Sequence, residues 1–508
     1  MTTTTEPAEP ATSAAPTYHN VIAGERAPAV SGATFSSRNP ANHEEIVGVF
    51  PRSGPADVTR AVAAAVEAFP RWRRVPAPAR ADLILRAGSI MQERKEDLAR
   101  LMTREMGKVL EESRGDVQEG IDMAKYIAGE GRRFFGETMP SELRDKFAMV
   151  IRQPFGPVAI ITPWNFPIAI PTWKIFPALL AGNTVVFKPA EDTPACAAAF
   201  VEIMHEAGLP SGVLNLVTGF GEEAGEPLVE DERIRMISFT GSGEVGREVA
   251  ARGGRQLKKI SLELGGKNPI IVMDDADLGL ALEGALWGAF GTSGQRCTAS
   301  SRLIVQRGVL DEFTAELVKR ASALRVGNGL EAEVQMGPVV NQTQLERIHR
   351  YTGIGIEEGA TLLLGGRVLD DAPYDRGYFY APTIFGHVTA DMRIAQEEIF
   401  GPTTVIMPVA TFEEAVEVAN GVKYGLSSAI YTRDINRAFA AIETLEAGIT
   451  YVNAPTIGAE IHLPFGGIKA TGNGHREAGT SAIREFTELK SVYIDYSGRL
   501  QRAQIDTE

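Results

Sequence analysis

Of the two cysteines in the 508 residues, Cys297 stands in Gly294-Gln295-Arg296-Cys297-Thr298-Ala299-Ser300, a loop of small and polar residues. A thiolate there can add to an aldehyde carbonyl and leave a hydride on the carbon, ready to depart. The oxyanion formed in that step needs aimed donors, which an uncharged amide such as Asn165 and the backbone N–H of Cys297 would supply. Departure of the hydride leaves a thioester, and its hydrolysis needs a base for water. Glu263 has the chemistry for that role, with a pKa that burial raises toward neutrality. Each residue also has a plainer reading: a free cysteine as an inert small hydrophobe, and Glu263 as a cap on the Gly265-Gly266 turn. Cys196, among Ala195–Phe200 on an apolar helix face, takes the plain reading.

These residues need a scaffold of strand ends. Leu286–Phe290 reads as helix and Arg302–Gln306 as a buried strand, so Cys297 falls at a helix-to-strand junction. Val158–Thr162, Ile168–Ala181 and Thr184–Lys188 alternate as strand, helix and strand. Helix Ala195–Ala207, strand Val213–Gly219, helical Glu222–Val229 and strand Met236–Thr240 continue the pattern. Such alternation predicts a parallel sheet covered on both faces. A second alternating region starts near Pro269, with strands Ile270–Met273, Leu303–Val305 and Thr404–Pro408 among helices Leu278–Phe290, Asp311–Leu324 and Phe412–Ala419. The composition shift at Gly265-Gly266 reads as the hinge between the two regions.

The first part of the chain carries short strands and turns over Tyr18–Phe50, with Asn39–Asn42 a turn. A helix over Asp57–Phe69 is stopped by Pro70, and amphipathic helices follow over Ala79–Met106 and Leu110–Ile127. On the last of these, Asp116, Glu119 and Asp122 read as a solvated face. Phe147–Gln153 and Phe486–Tyr496 read as strands.

Composition excludes several classes. The 44% apolar and 23% charged residues are those of a soluble globular protein, and 508 residues suffice for two to four domains. A net charge of −14 opposes nucleic acid and anionic membrane surfaces as partners. Two cysteines exclude a disulfide framework and fit a reducing cytoplasm. Met1–Pro16 is rich in Thr, Ala, Pro and Glu and reads as the core of a disordered tail over residues 1–17. Val158–Phe187 is apolar enough to suggest a membrane span, but its prolines and Lys174 make it a buried core segment. The seven histidines show no metal-ligand spacing, so no metal is expected.

Gly241-Ser242-Gly243-Glu244-Val245-Gly246 matches the dinucleotide fingerprint between a strand and a helix. Glycines there let backbone N–H groups approach a pyrophosphate, and the helix N-terminus adds partial positive charge. A tight strand-to-helix turn is the plainer reading. By the generic rule an acidic residue about 20 positions on binds the adenosine ribose, and Glu263 lies near that place.

Four segments together resemble the NAD(P)-dependent aldehyde dehydrogenase superfamily: Pro163-Trp164-Asn165-Phe166-Pro167, Leu262-Glu263-Leu264-Gly265-Gly266-Lys267-Asn268-Pro269, Gly294–Ser300, and Glu397-Glu398-Ile399-Phe400-Gly401-Pro402. The resemblance runs in family order from about Tyr18 to about Tyr496. It implies an α/β fold of two Rossmann-like parallel-sheet domains plus a small β oligomerisation element. Residues 18–137 and 158–265 then form the NAD-binding domain, 266–477 the catalytic domain, and 138–157 with 478–508 the oligomerisation element. In that element, Phe486–Tyr496 adds to the sheet of a neighbouring subunit. The expected assembly is a homodimer or homotetramer.

The resemblance also implies roles. Cys297 is the nucleophile, Glu263 the base rather than a ribose ligand, and Asn165 the oxyanion donor, with Lys174 and Glu477 linked to proton transfer or simply paired as ions. Lys188 and Glu191 hold the adenosine ribose; a carboxylate at Glu191 repels a 2′-phosphate, which favours NAD over NADP. Thr162, Trp164, Gly241, Ser242, Gly246 and Leu264 complete the cofactor site, with Glu398 and Phe400 at the nicotinamide end. The substrate pocket takes Phe166, Arg296, Thr298 and Phe465, with further lining from Trp164, the helix near Leu110–Asp122 and Thr456–Leu463. Family members that pass the acyl group to coenzyme A generally lack the glutamate matching Glu263, so hydrolysis to the free acid is implied. Thr456–Leu463 contains no arginine to anchor a substrate carboxylate, so that loop does not directly support a dicarboxylic semialdehyde; Arg296 and Arg302, flanking the cysteine, are the other candidate anchors. Asp495–Leu500 with Gly458–Ile461 loosely resembles the aminoadipate-semialdehyde branch. The alternatives are a specific semialdehyde dehydrogenase of amino-acid or sugar catabolism, and a binding or structural protein on the same fold with its catalysis lost.

Overall fold

In a computed structural model that describes residues 15–134 and 136–506, the two alternating regions form two seven-stranded sheets. The first runs in the order 259–263, 236–240, 157–161, 184–188, 214–216, 20–22, 25–27. The first five of these strands are parallel, and an antiparallel hairpin, 20–22 with 25–27, closes the other edge. Side chains alternate between two apolar layers. Val158, Ile160, Val185 and Phe187 enter one, while Ala159, Val186, Ile237 and Phe239 enter the other. Both faces are therefore covered, which is why these strands read as continuous apolar runs.

The second sheet runs 361–364, 383–386, 403–409, 300–306, 268–272, 427–431, 449–452, parallel except for its first strand. Ile270, Val272, Leu303 and Val305 pack on one side, and Ile271, Ile304, Val405 and Ile430 on the other. The chain passes between the sheets in four residues, Leu264–Lys267. Here both glycines are required by contact: a Cβ on Gly265 would lie 2.2 Å from the Glu398 carboxylate, and one on Gly266 2.4 Å from the Cys297 carbonyl oxygen. A third, three-stranded antiparallel sheet joins Glu137–Pro140, Lys146–Pro154 and Thr487–Asp495. Thr487–Asp495 pairs along its whole length with Lys146–Pro154 of its own chain and is an edge strand of that sheet.

Four expectations change. Pro70 does not stop the first helix, which spans Pro55–Trp72 with Pro70 in its last turn, where a missing N–H removes a single bond. The run expected over Ala79–Met106 is two helices, Ala77–Glu93 and Lys95–Met106, broken at Arg94. On helix Leu110–Glu130, Asp116 is not part of a solvated face: it is buried, pairs with Lys108 at 2.8 Å and accepts the Ala169 N–H at 2.7 Å. The tail expected over residues 1–17 lies outside the described residues as far as residue 14. Beyond that, Pro16 accepts the Val49 N–H at 2.9 Å and Thr17 bridges Val49, so its last residues are tied to strand Asn42–Pro51. Among the described residues no helix is long and apolar enough to cross a membrane, and Val158–Phe187 is strand, helix and strand buried in the first core.

Candidate active site

The loop carrying Cys297 follows helix Leu278–Phe290 and leads into strand Ser300–Gln306. It is irregular, with Thr292 and Ser293 at φ near +52° and +54°, conformations that only surrounding contacts maintain. Those contacts come from four distant segments. Glu112 accepts the Thr292 N–H at 2.8 Å. Asn165 donates to Gln295 O at 3.0 Å. Asn268 donates to the carbonyls of Cys297 and Ala299 at 2.8 and 3.0 Å, and Thr456 donates to Thr298 O at 2.6 Å.

The loop opens onto a cavity of about 110 Å³ that also receives Glu263, Leu264, Thr240 and Glu477. Phe166, Trp173, Phe465, Ala169, Ile170 and Ala459 make most of its wall, with Glu119, Arg296, Thr298 and Gly458 completing it. Trp173 and Phe465 meet edge to face at 4.9 Å. Arg296 lies 5.3 Å from the Phe166 ring and pairs with Glu112 at 3.1 Å.

The reactive groups share a dry, acidic setting. Burial pushes the Cys297 thiol up, and the carboxylates of Glu398, Glu263 and Glu477 push the same way, so the thiol rests protonated. Glu263 is 2% exposed, and among the described residues neither of its oxygens has a hydrogen-bond partner. Burial and then Glu477 raise its carboxyl well above the usual carboxylate range. Behind it the fully buried Lys174 ammonium donates to Glu477 and, at 2.9 Å, to Ser238 Oγ. Phe465 and Glu477 exchange two backbone bonds of 2.7 Å, which set both side chains on the cavity.

A second group of the expected residues lies at the carboxyl ends of the first sheet. Thr162 follows strand Pro157–Ile161 and donates its N–H to Lys188 O, and Lys188 Nζ sits 3.3 Å from a Glu191 oxygen. Ser242 caps helix Gly243–Arg255 by accepting the Val245 N–H. The fingerprint glycines have different reasons. A Cβ on Gly241 would strike Phe239 at 2.6 Å and one on Gly246 would strike Leu264 at 2.4 Å, whereas one on Gly243 would meet only the Arg247 guanidinium, at 3.7 Å. Close packing therefore accounts for Gly241 and Gly246. At the other end Glu398 accepts the Gly266 N–H at 3.0 Å, and Phe400, at φ +63°, meets the Trp164 ring edge-on at 5.4 Å.

Some expectations for the pocket change. Trp164 lies against Phe400 rather than in the cavity wall, and only Gly458 and Ala459 of Thr456–Leu463 reach that wall. Arg302 is no substrate anchor: it is 1% exposed and donates to the carbonyls of Lys267, Val418 and Ala419 at 2.8–2.9 Å. Trp173, Glu112 and Asn268 went unnoticed in the sequence. Asn268 stands in Leu262–Pro269 already, but nothing in its type shows that it reaches a cysteine loop 29 residues away.

Residues 28–492 match the aldehyde dehydrogenase family. An alpha-ketoglutaric semialdehyde dehydrogenase of Bacillus subtilis is 44% identical over 94% of this chain and 98% of its own length. A glutarate-semialdehyde dehydrogenase of Pseudomonas putida is 40% identical over 93% of this chain and 97% of its own. A crystal structure of betaine aldehyde dehydrogenase from Staphylococcus aureus in complex with NAD+ superposes with a TM-score of 0.93 at 34% identity, covering 95% of this chain and 96% of that one. A family match over nearly the whole chain, a matching fold and a cysteine loop facing a buried glutamate lead to one conclusion: the chain belongs to the aldehyde dehydrogenase family.

Proposed function

We propose that this chain oxidises an aldehyde to the free carboxylic acid with NAD as the preferred cofactor. The observation that carries the reading is Cys297 and Glu263 on one aromatic-walled cavity, with the Glu263 oxygens free of protein partners. Cys297 Sγ bonds to the aldehyde carbon as the thiol proton is released to solvent, which leaves the Glu263 carboxylate free for the later attack of water. Asn165, fixed on Gln295 O, and the Cys297 N–H donate to the developing oxyanion. A bound nicotinamide dinucleotide supplies the acceptor for the hydride. Glu263 then takes a proton from the water that attacks the thioester, and the acid departs as the thiol re-forms. Lys174 and Glu477 stand behind Glu263 and set its charge.

The residues fit such a cofactor. Lys188 and Glu191 offer a cation and a carboxylate to ribose hydroxyls at a strand end, and the start of helix Gly243–Arg255 offers its N-terminal N–H groups, with the Arg247 side chain near Gly243, to a phosphate. Thr162, Trp164, Ser242, Leu264, Glu398 and Phe400 line the path between those ends. The sheet ending at Glu263 is accordingly the cofactor unit and the sheet beginning at Asn268 the catalytic unit. The third sheet serves assembly: strand Thr487–Asp495 leaves one edge unpaired and exposes Leu489, Tyr493 and Ile494, which suits a homo-oligomer. A more specific reading, a dehydrogenase for the semialdehyde of a dicarboxylic acid, is favoured by the relatives from Bacillus subtilis and Pseudomonas putida.

The test is NADH formation with straight-chain, aromatic and carboxylated aldehydes, each with NAD and NADP. Cys297→Ser abolishes oxidation while NAD binding persists. Glu263→Gln forms the acyl-enzyme but lowers steady-state turnover by about 10²–10⁴-fold. Oxidation retained by Cys297→Ser refutes the nucleophile, and undiminished turnover by Glu263→Gln refutes the base.

A further inference from the structure

The cations around the cavity are already engaged. Lys108 pairs with Asp116 with neither side chain exposed, and Arg296 pairs with Glu112 while its Nε donates to Thr292 Oγ1 at 3.0 Å. Glu119 stands one turn beyond Asp116 on the same helix and lines the cavity with Cys297, yet among the described residues it forms neither an ion pair nor a hydrogen bond. A carboxyl group set against aromatic faces with no cation of its own is stabilised as the neutral acid. Burial, reinforced by Asp116, raises the Glu119 carboxyl to about 8, against the pull of Arg296 and Lys108.

We propose that Glu119 is a specificity-determining residue that works as the neutral acid, donating its O–H to a carboxylate at the far end of the aldehyde while Arg296 supplies the balancing charge. The inference rests on the aldehyde-oxidising reading above. Arg296 suits the task because Phe166, Glu112 and Thr292 fix its plane, and its remaining N–H donors are uncommitted. An ionised Glu119 would repel the same tail and welcome a cation, so the protonation state of one side chain decides which tails the pocket accepts. Carboxylate-tailed aldehydes are therefore lost selectively as pH rises through the Glu119 titration.

Several other groups face Glu119 or the cavity. Asp116 and Asp122 lie on its own helix; Lys108, Arg296 and Tyr451 face it from other elements. Cys297 and Glu263 also line the cavity, but they act on every aldehyde alike. A ratio between two aldehydes of equal length cancels their titration.

The experiment measures kcat/KM with NAD for 5-oxopentanoate, for pentanal and for a trimethylammonium-tailed aldehyde of similar length, between about pH 6.5 and 9.5. In the unaltered enzyme the ratio of 5-oxopentanoate to pentanal falls about 10-fold between pH 7 and 9, following the neutral fraction of Glu119. In Glu119→Gln, whose amide still donates, the ratio no longer depends on pH. A flat ratio in the unaltered enzyme overturns the proposal without recourse to any variant. So does a preference for the cationic tail that fails to grow with pH, since ionised Glu119 welcomes a cation. Absence of pentanal oxidation at every pH overturns the underlying aldehyde-oxidising reading, whereas turnover of pentanal with a flat ratio removes only the role given to Glu119.

Discussion

Replacing Lys174 by Met tests the electrostatics behind the site. The Lys174 ammonium is fully buried and has two partners, Glu477 and Ser238 Oγ, and Glu477 is itself only 5% exposed. Methionine keeps most of the alkyl stem, so the change removes charge rather than volume. It strands Glu477 beside Glu263, whose oxygens already lack partners. Breaking a buried pair from one side costs about 3–5 kcal/mol, because the remaining charge is neither solvated nor compensated. Removing both ends, as in Lys174→Met with Glu477→Leu, costs far less, about 1 kcal/mol or below. Urea unfolding at one protein concentration, without cofactor, measures both variants. The single substitution is expected to be the less stable by about 2–4 kcal/mol. A cost below about 1 kcal/mol for Lys174→Met, or a double variant no more stable than the single one, refutes this reasoning.

Glu105, buried at the start of helix Pro194–Glu206, accepts the Ala195 and Cys196 N–H groups at 2.7 and 2.8 Å, and burial raises it to about 7 from 4.5. Between those values the folded chain holds a proton that the unfolded chain has lost, so this group makes stability fall as pH rises from about 4.5 to 7, and unfolding of Glu105→Gln lacks that part of the slope. Arg302→Met leaves three buried carbonyls unbonded and is expected to cost about 2–5 kcal/mol by urea unfolding, without altering the preference between carboxylate-tailed and neutral aldehydes. Glu191→Ala removes a carboxylate from the site assigned to the adenosine ribose and is expected to lower the ratio of kcat/KM for NAD over NADP about 10-fold. Glu398→Gln removes the neighbour that, after burial, most raises the Cys297 thiol. Alkylation of Cys297 by iodoacetamide at mildly alkaline pH is then expected to quicken several-fold.

The parallel sheets were legible because strands covered on both faces must be apolar at successive positions, as in Thr184–Lys188 and Asn268–Val272, and because helices separate them. Helix ends were less so. Arg94 breaks a helix with no glycine or proline to announce it, while Pro70 sits inside a helix that tolerates it in the last turn. Helical spacing placed Asp116, Glu119 and Asp122 on one face, but spacing says nothing of what that face meets. Asp116 meets Lys108 and the Ala169 N–H, and Glu119 meets the cavity. Whether an acidic stripe is wet or buried depends on partners from distant segments, which no local pattern contains.

The same limit divides the site. Cys297 stood out as one of only two cysteines, whereas Glu263 and Asn165, of common types, were singled out as candidates by the family motifs that contain them. The residues that hold them were not legible, because holding is done by common types. Glu112 accepts a backbone N–H, Asn268 donates to two carbonyls, and Thr456 reaches one carbonyl. Each does in the fold what hundreds of surface residues do elsewhere. Their value lies in acting on one loop, whose positive-φ residues Thr292 and Ser293 would relax without them. The glycines at the sheet crossing belong to the same device. Gly266 admits the Cys297 carbonyl and Gly265 admits Glu398, so the chain that ends in Glu263 also sets the distance at which the cysteine loop can approach it. The candidate base and the candidate nucleophile are thus positioned by one short connection, and a side chain at either glycine would separate them without touching either one.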